Sequence, residues 1–195
     1  MGKYYVFEGP DGIGKTTLAK NFAERIGAKF TYEPFGHTPE TKMLRERALT
    51  KDVPKAAREY LLLANRDLGY QDLKKWLYEG DVVSDRSLLS GMIYAFMEGF
   101  AFDVWLDMAR PILYQASLSE LIVILCSNEE YKNKLDPNDR YDGRGNNFHN
   151  TVGMKFLEGV NYLSWPHIPF KIDFNRSKEE NLEALILQLS YPIRK

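Results

Sequence analysis

The stretch Gly9-Pro10-Asp11-Gly12-Ile13-Gly14-Lys15-Thr16 constrains this chain more than any other, because it matches the phosphate-cradling pattern G-x-x-x-x-G-K-[ST]. Glycines at 9, 12 and 14 let the backbone curl so that successive N–H groups converge on phosphate oxygens. Lys15 supplies a mobile cation for the outer phosphates, and the Thr16 hydroxyl is placed to ligate Mg²⁺. A helix opening near Lys15 adds the positive end of its dipole. The flanks agree with that arrangement. Tyr4-Tyr5-Val6-Phe7 reads as a buried strand, and Leu18, Ala19, Phe22, Ala23 and Ile26 recur at helical spacing before the stop at Gly27. The expected nucleoside-triphosphate site comprises Gly9, Asp11, Gly12, Ile13, Gly14, Lys15, Thr16 and Thr17.

Strand and helix signals then alternate to the end of the chain. Lys29 to Tyr32 is a short strand ended by Glu33-Pro34. Thr38-Pro39-Glu40 opens a helix to about Leu49, with an N-cap, a proline at the first helical position and a dipole-favoured acid. A long helix runs from Pro54 to about Glu79, with a kink expected at Gly69 and a stop at Gly80. Asp81 to Ser84 is a third strand, leading into Asp85-Arg86. Helices follow over 88–97 and 102–116, then the apolar run Leu121 to Cys126, a strand expected to be covered on both faces. A polar, glycine-containing stretch over 136–147 precedes a helix to about Leu163, a strand near Phe170 to Ile172 and a closing helix over 178–189.

Strands separated by helices predict an α/β domain, 1–195, with a parallel sheet of about five strands, right-handed crossovers and helices on both faces. That is the three-layer P-loop NTPase fold. Ligands in such sheets sit beyond the carboxyl ends of the strands, so Glu33, Asp85-Arg86, Asn128 and Asp173 converge on one cleft with the phosphate loop. The 195 residues suit one such domain. A net charge of −1 and a pI near 6.3 argue against a general nucleic-acid or membrane-surface binder. The only cysteine, Cys126, lies in an apolar run and reads as a core residue. No secretory signal or membrane span of roughly 18 apolar residues is evident, so the expectation is a soluble, cytoplasmic chain. His37, His149 and His167 lack metal-site spacing, which leaves Mg²⁺ as the one metal expected.

The segment Phe7 to Thr17 resembles the opening of thymidylate kinases. The resemblance extends through Leu62-Leu63-Ala64-Asn65-Arg66, Asp85-Arg86-x-x-x-Ser90-Gly91-x-x-Tyr94, Asp139-Arg140-Tyr141-Asp142, and Ile172-Asp173 with Arg176 and Ser177. It implies ATP as donor, with Mg²⁺, and dTMP or a similar deoxynucleoside monophosphate as acceptor, in a homodimeric enzyme. Arginine suits the work because its fork binds phosphate bidentately and keeps its charge. By resemblance, Arg66 and Arg86 grip the acceptor, alongside Glu33, Phe35, Leu62, Ser90 and Tyr94. Tyr94 matches an aromatic that packs under the deoxyribose, and Asp11 lies near the sugar's 3′-hydroxyl. Asp85 either steadies Mg²⁺ through water or orients Arg86. Arg140 and Arg144, in the expected lid over 136–147, screen the transferring phosphoryl group, because Gly12-Ile13 supplies no arginine. Arg176 and its neighbours lie against the adenine.

Plainer readings stand beside these. Arg66 would be a solvated helix residue paired with Glu59 or Asp67, Asp11 the anchor of a local Asx-turn, and Tyr94 a core aromatic. The chain also departs from the family pattern. Leu62 and Ser87 stand where aromatics are usual, and Tyr32 where arginine is common, which allows broader base specificity. Glu33-Pro34 and Asp85-Arg86-Ser87 are also similar to deoxynucleoside kinases, in which Glu33 would be the general base for a sugar hydroxyl. A nucleotide-binding switch is the remaining alternative, though a switch needs no acceptor arginines.

Overall fold

The computed structural model describes residues 1–115, 121–127 and 145–190. Its elements run β1 (Tyr4–Glu8), α1 (Lys15–Ile26), β2 (Lys29–Tyr32), α2 (Pro39–Leu49), α3 (Lys55–Glu79), β3 (Val82–Asp85), α4 (Leu88–Met97), α5 (Phe102–Gln115), β4 (Leu121–Ser127), α6 (Gly145–Tyr162), β5 (His167–Lys171) and α7 (Lys178–Leu189). The strands form one sheet in the order β2-β3-β1-β4-β5, and every neighbouring pair is parallel.

Alternation along the strands divides the core into two layers. Tyr4, Val6, Val82, Val123 and Leu125 face one side and pack on α3, α4, α5 and α6. Phe7, Val83, Ile124, Cys126 and Phe170 face the other side and pack on α1 and α7. Covering on both faces explains why β4 is apolar at six consecutive positions. The chain leaves β1 towards the α1 face and β3 towards the α4 face. A crevice therefore opens between their carboxyl ends, where the strand order reverses.

One expectation is corrected. β5 begins at His167, three residues earlier than the apolar run suggested, and it contains Pro169. Proline is tolerated because β5 is an edge strand. The Pro169 carbonyl turns away from β4 to accept from Gln188 Nε2 at 2.9 Å, so the missing N–H, on the same side, costs no ladder bond. At Gly69, α3 continues without interruption. Glycine is required there for another reason, since a Cβ would stand 2.0 Å from Phe35 Cδ2. Helix starts follow the expected chemistry: Thr38 and Thr41 form a capping box for α2, as Ser177 and Glu180 do for α7.

Candidate active site

The loop between β1 and α1 is held open by glycines in the left-handed region, with φ of 141° at Gly9, 78° at Gly12 and 86° at Gly14. A Cβ on Gly9 would lie 2.3 Å from the Cys126 carbonyl oxygen, so the loop can pass β4 only with glycine there. Gly14 is the N-cap of α1 and offers no side-chain acceptor, which leaves the first N–H groups of the helix to an incoming anion. The Ile13 side chain is fully buried and anchors the loop in the core. Of Ile13, only the backbone remains to meet a phosphate.

Asp85 shares its strand face with Val83, the face that packs on α1, so its carboxylate reaches the start of that helix. Lys15 Nζ stands 3.4 Å from Asp85 Oδ1, and Thr16 Oγ1 donates to Asp85 Oδ2 at 2.5 Å. Asp85 Oδ1 is buried and accepts no hydrogen bond. A hydroxyl and a carboxylate whose Oδ1 makes no hydrogen bond, beside the phosphate cradle, are the hard oxygen donors that Mg²⁺ takes. Arg86 is held by other groups, namely Asp11, Ser90 and Tyr94.

Arg86 adopts φ 74°, a left-handed conformation that costs a non-glycine residue about 1–3 kcal/mol. The turn follows the last ladder bond, Arg86 N–H to the Phe7 carbonyl at 2.9 Å, and throws the guanidinium across the crevice mouth. Nη2 pairs with Asp11 Oδ1 and reaches the Tyr94 hydroxyl at 3.3 Å, while Nη1 donates to Ser90 Oγ at 2.8 Å. Tyr94 donates in turn to Asp11 Oδ2 at 2.6 Å, and the guanidinium carbon lies 5.1 Å from the centre of its ring. Burial works against the Asp11 carboxylate, but the Arg86 and Lys15 cations prevail and hold its pKa well below the usual range. Burial drives the Tyr94 phenol pKa up, so it stays protonated and a donor. Asp11 is thus the partner of Arg86 and Tyr94, and the Asx-turn is not what occupies its side chain.

Behind this triad sits Glu8, a carboxylate with 0% exposure that accepts from Ser87 Oγ at 2.7 Å, Ser90 N–H at 3.2 Å and Ser90 Oγ at 2.6 Å. Burial raises its pKa, against the pull of Arg86, the two serines and Lys15. The Ser90 side chain, expected at the acceptor, is wholly engaged between Glu8 and Arg86.

Arg66 is not a solvated residue paired with Glu59 or Asp67. It is 2% exposed, and its Nε donates to Glu33 Oε2 at 2.9 Å. Its terminal nitrogens make only long contacts of 3.5 Å, to the Leu62 and Ser87 carbonyls. Glu33 also accepts from Tyr4 at 3.3 Å. Burial pushes its pKa up to about 7 despite the Arg66 cation. Phe35 does not line the cleft. Its ring is fully buried against Gly69 and Tyr70, and its backbone N–H and C=O are both taken by Asn65. Leu62 is half-buried on the same helix. Sequence reasoning missed Glu8, whose role is invisible until α4 folds over β1. It also missed Arg45, whose buried Nε makes no hydrogen bond and whose guanidinium carbon lies 5.3 Å from the centre of the Tyr32 ring.

A groove beside the phosphate loop is lined by Gly14, Thr17, Ile172, Phe174, Arg176 and Asn181, among others. The Asn181 amide fixes its outer wall, donating to the Asp173 and Ser177 carbonyls at 2.8 and 3.0 Å and accepting from Asp173 N–H at 2.9 Å. Arg140, Arg144 and the remainder of the expected lid to 144 lie outside the described residues. Among the described residues no cluster of three His, Cys, Asp or Glu side chains could hold a metal, and no helix is long and apolar enough to cross a membrane.

A parallel sheet of this strand order, with its phosphate cradle between β1 and α1, defines the P-loop nucleoside-triphosphatase fold. Comparison with known proteins narrows this further. The thymidylate kinase family model matches residues 7–181, and the chain belongs to that family. A probable thymidylate kinase of Methanococcus vannielii is 35% identical over 126 residues, 64% of this chain and 61% of that protein. The thymidylate kinase of Helicobacter pylori is 33% identical over 135 residues, 68% and 67% of the two chains. The chain thus spans about 60% of the length of several curated relatives it matches. A solved thymidylate kinase from Candida albicans has the same fold, with a TM-score of 0.72 over 97% of this chain and 91% of that one at 20% identity.

Proposed function

We propose that the protein transfers the γ-phosphoryl group of ATP to dTMP or a similar deoxynucleoside monophosphate, giving the diphosphate and ADP. The observation that carries this reading is the separation of cations across one crevice. Lys15 stands with Asp85 and Thr16 on the α1 side, and Arg86 stands with Asp11 and Tyr94 on the α4 side. Transfer between two anions needs that division, because each must be held against the repulsion of the other.

In this reading the loop amides and Lys15 hold the donor phosphates, and the groove at Phe174 and Arg176 takes the adenine. Thr16 and Asp85 hold Mg²⁺, which when bound offsets the negative charge of the β- and γ-phosphate oxygens. Arg86 and the terminal nitrogens of Arg66 receive the acceptor, Tyr94 walls off the sugar's 2′ position, and Arg140 and Arg144 screen the charge in flight. Leu62, in place of a stacking aromatic, permits more than one base. A homodimer working in the cytoplasm completes the proposal. Its support is three exposed large side chains on α3, Tyr60 at 61%, Leu68 at 45% and Tyr78 at 79%.

The deoxynucleoside-kinase alternative rests on Glu33, whose pKa of about 7 would suit a general base. Geometry stands against it, since both carboxylate oxygens are already engaged, Oε2 by Arg66 and Oε1 by Tyr4. A base must reach the proton it removes. The test is ADP release with ATP, Mg²⁺ and each acceptor in turn. dTMP should be turned over and thymidine barely; good turnover of thymidine, poor turnover of dTMP and abolition by Glu33→Gln would establish the alternative instead.

A further inference from the structure

We infer that Glu8 is a positioning residue for the acceptor cation, aiming Arg86 through the hydroxyl of Ser90. The inference rests on the function proposed above and adds a residue to it.

The hydrogen-bond directions around Glu8 are fixed from outside. Ser87 Oγ caps α4 by accepting from Leu89 N–H at 3.1 Å, so its own proton points to Glu8 Oε1. The Ser90 backbone N–H donates to the same oxygen. Ser90 Oγ accepts from Arg86 Nη1 at 2.8 Å, so its single proton goes to Glu8 Oε2 at 2.6 Å. Three donors converge on one carboxylate, and both of its oxygens must accept. Arg86 can only donate, so what Glu8 adds is an anchor: it holds the Ser90 hydroxyl by its proton and thereby fixes where the oxygen meets Nη1, and that bond sets the plane in which Nη2 meets Asp11 and Tyr94. Strand alternation supplies the placement. Glu8 follows Tyr4 and Val6 onto the face that packs on α4, while Gly9, the next residue, begins the phosphate loop.

Glutamine at position 8 has nearly the same shape but cannot accept at both ends. With its NH₂ towards Ser87 and the Ser90 N–H, it would oppose a backbone donor that cannot turn. With its NH₂ towards Ser90 Oγ, it would leave the serine proton without an acceptor beside Arg86 Nη1. Either arrangement loosens the hold on Arg86 while the contacts of Lys15 and Thr16 with Asp85 stay in place.

The experiment measures KM for dTMP, KM for ATP, kcat and Tm for the full chain and for Glu8→Gln, Ser90→Ala and the double variant. We expect Glu8→Gln to raise the dTMP KM about tenfold or more, the scale of one lost hydrogen bond to a charged group. The ATP KM should stay within about twofold. Ser90→Ala should reproduce the effect, and it keeps the inference testable if Glu8→Gln fails to fold. The double variant should be no worse than the poorer single variant by more than about threefold, because both substitutions break one chain of contacts. An unchanged dTMP KM in Glu8→Gln, fully additive effects, or a rise in both KM values in step with a falling Tm would overturn it. Failure of the unaltered chain to bind or phosphorylate any deoxynucleoside monophosphate is a different result, which removes the proposed function itself.

Discussion

Lys15 and Glu33 are both buried charges, yet substitution should affect different observables. Lys15 is 4% exposed, and Asp85 keeps the Thr16 hydroxyl when the ammonium is gone. Lys15→Ala should therefore lower turnover by about a hundredfold or more while leaving the melting curve cooperative, because this cation acts on charge in transfer. Turnover near the unaltered level would remove the loop as the reacting centre. Glu33 instead reports through pH. Its pKa rises from 4.5 to about 7 in the folded chain, with burial the largest cause. Between those values the folded chain keeps a proton that the unfolded chain releases, so stability is fullest below about pH 4.5 and falls as pH rises through 7. Melts from pH 5 to 8 should show a decline that Glu33→Gln flattens, and parallel curves for the two proteins would refute this. Residue types that act alone were legible in the sequence. The loop glycines, Lys15, Thr16 and the Asp85-Arg86 pair each signal their chemistry by spacing. Pairings across the fold were not, since Glu33 is 33 positions from Arg66 and Asp11 is 75 from Arg86. Neither separation leaves a periodic trace.

Among the elements, α3 bears the tightest constraint. Gly69→Ala sets two effects against each other. Alanine improves an interior helical position by about 1 kcal/mol. The added methyl, however, would meet the Phe35 ring at 2.0 Å, and overpacking of a closed core costs typically about 1–3 kcal/mol. Phe35 is pinned at its backbone by Asn65 and bounded by Tyr70, so it cannot yield cheaply and the clash should win. Thermal melting should show Tm lowered by several degrees, and a raised Tm would mean that the ring moves freely. Helix ends were readable where caps are local: α2 begins where Thr38 predicted, and the closing helix begins at Lys178 as expected. The start of β5 was not, because a proline reads as a break until the strand is known to be an edge. Nor was the packing demand at Gly69 legible, because it comes from a side chain 34 positions away.

At the scale of the whole molecule, the alternation of strand and helix sufficed to give the parallel sheet, its two covered faces and the crevice. The exposed side chains on α3 extend the argument to assembly. Tyr60 and Tyr78 lie 18 residues apart, five full turns, and so occupy one line along the helix, while exposed Leu68 stands roughly 80° round from that line. Leu68→Glu combined with Tyr78→Glu should shift sedimentation from dimer to monomer, and an unchanged monomer before and after would end the homodimer proposal. One feature at β3 bears on how such a chain can change by descent. Asp85 and Arg86 are joined by a single peptide bond, yet one meets Lys15 and Thr16 and the other meets Asp11, Ser90 and Tyr94. The alternating strand and one left-handed turn separate them, so their assignment depends on counting residues. Losing one codon between Val82 and Asp85 would carry Arg86 into the place of Asp85 and turn Asp85 to the opposite face of the strand, undoing both sets of contacts in a single step, whereas a point substitution alters one side chain at a time.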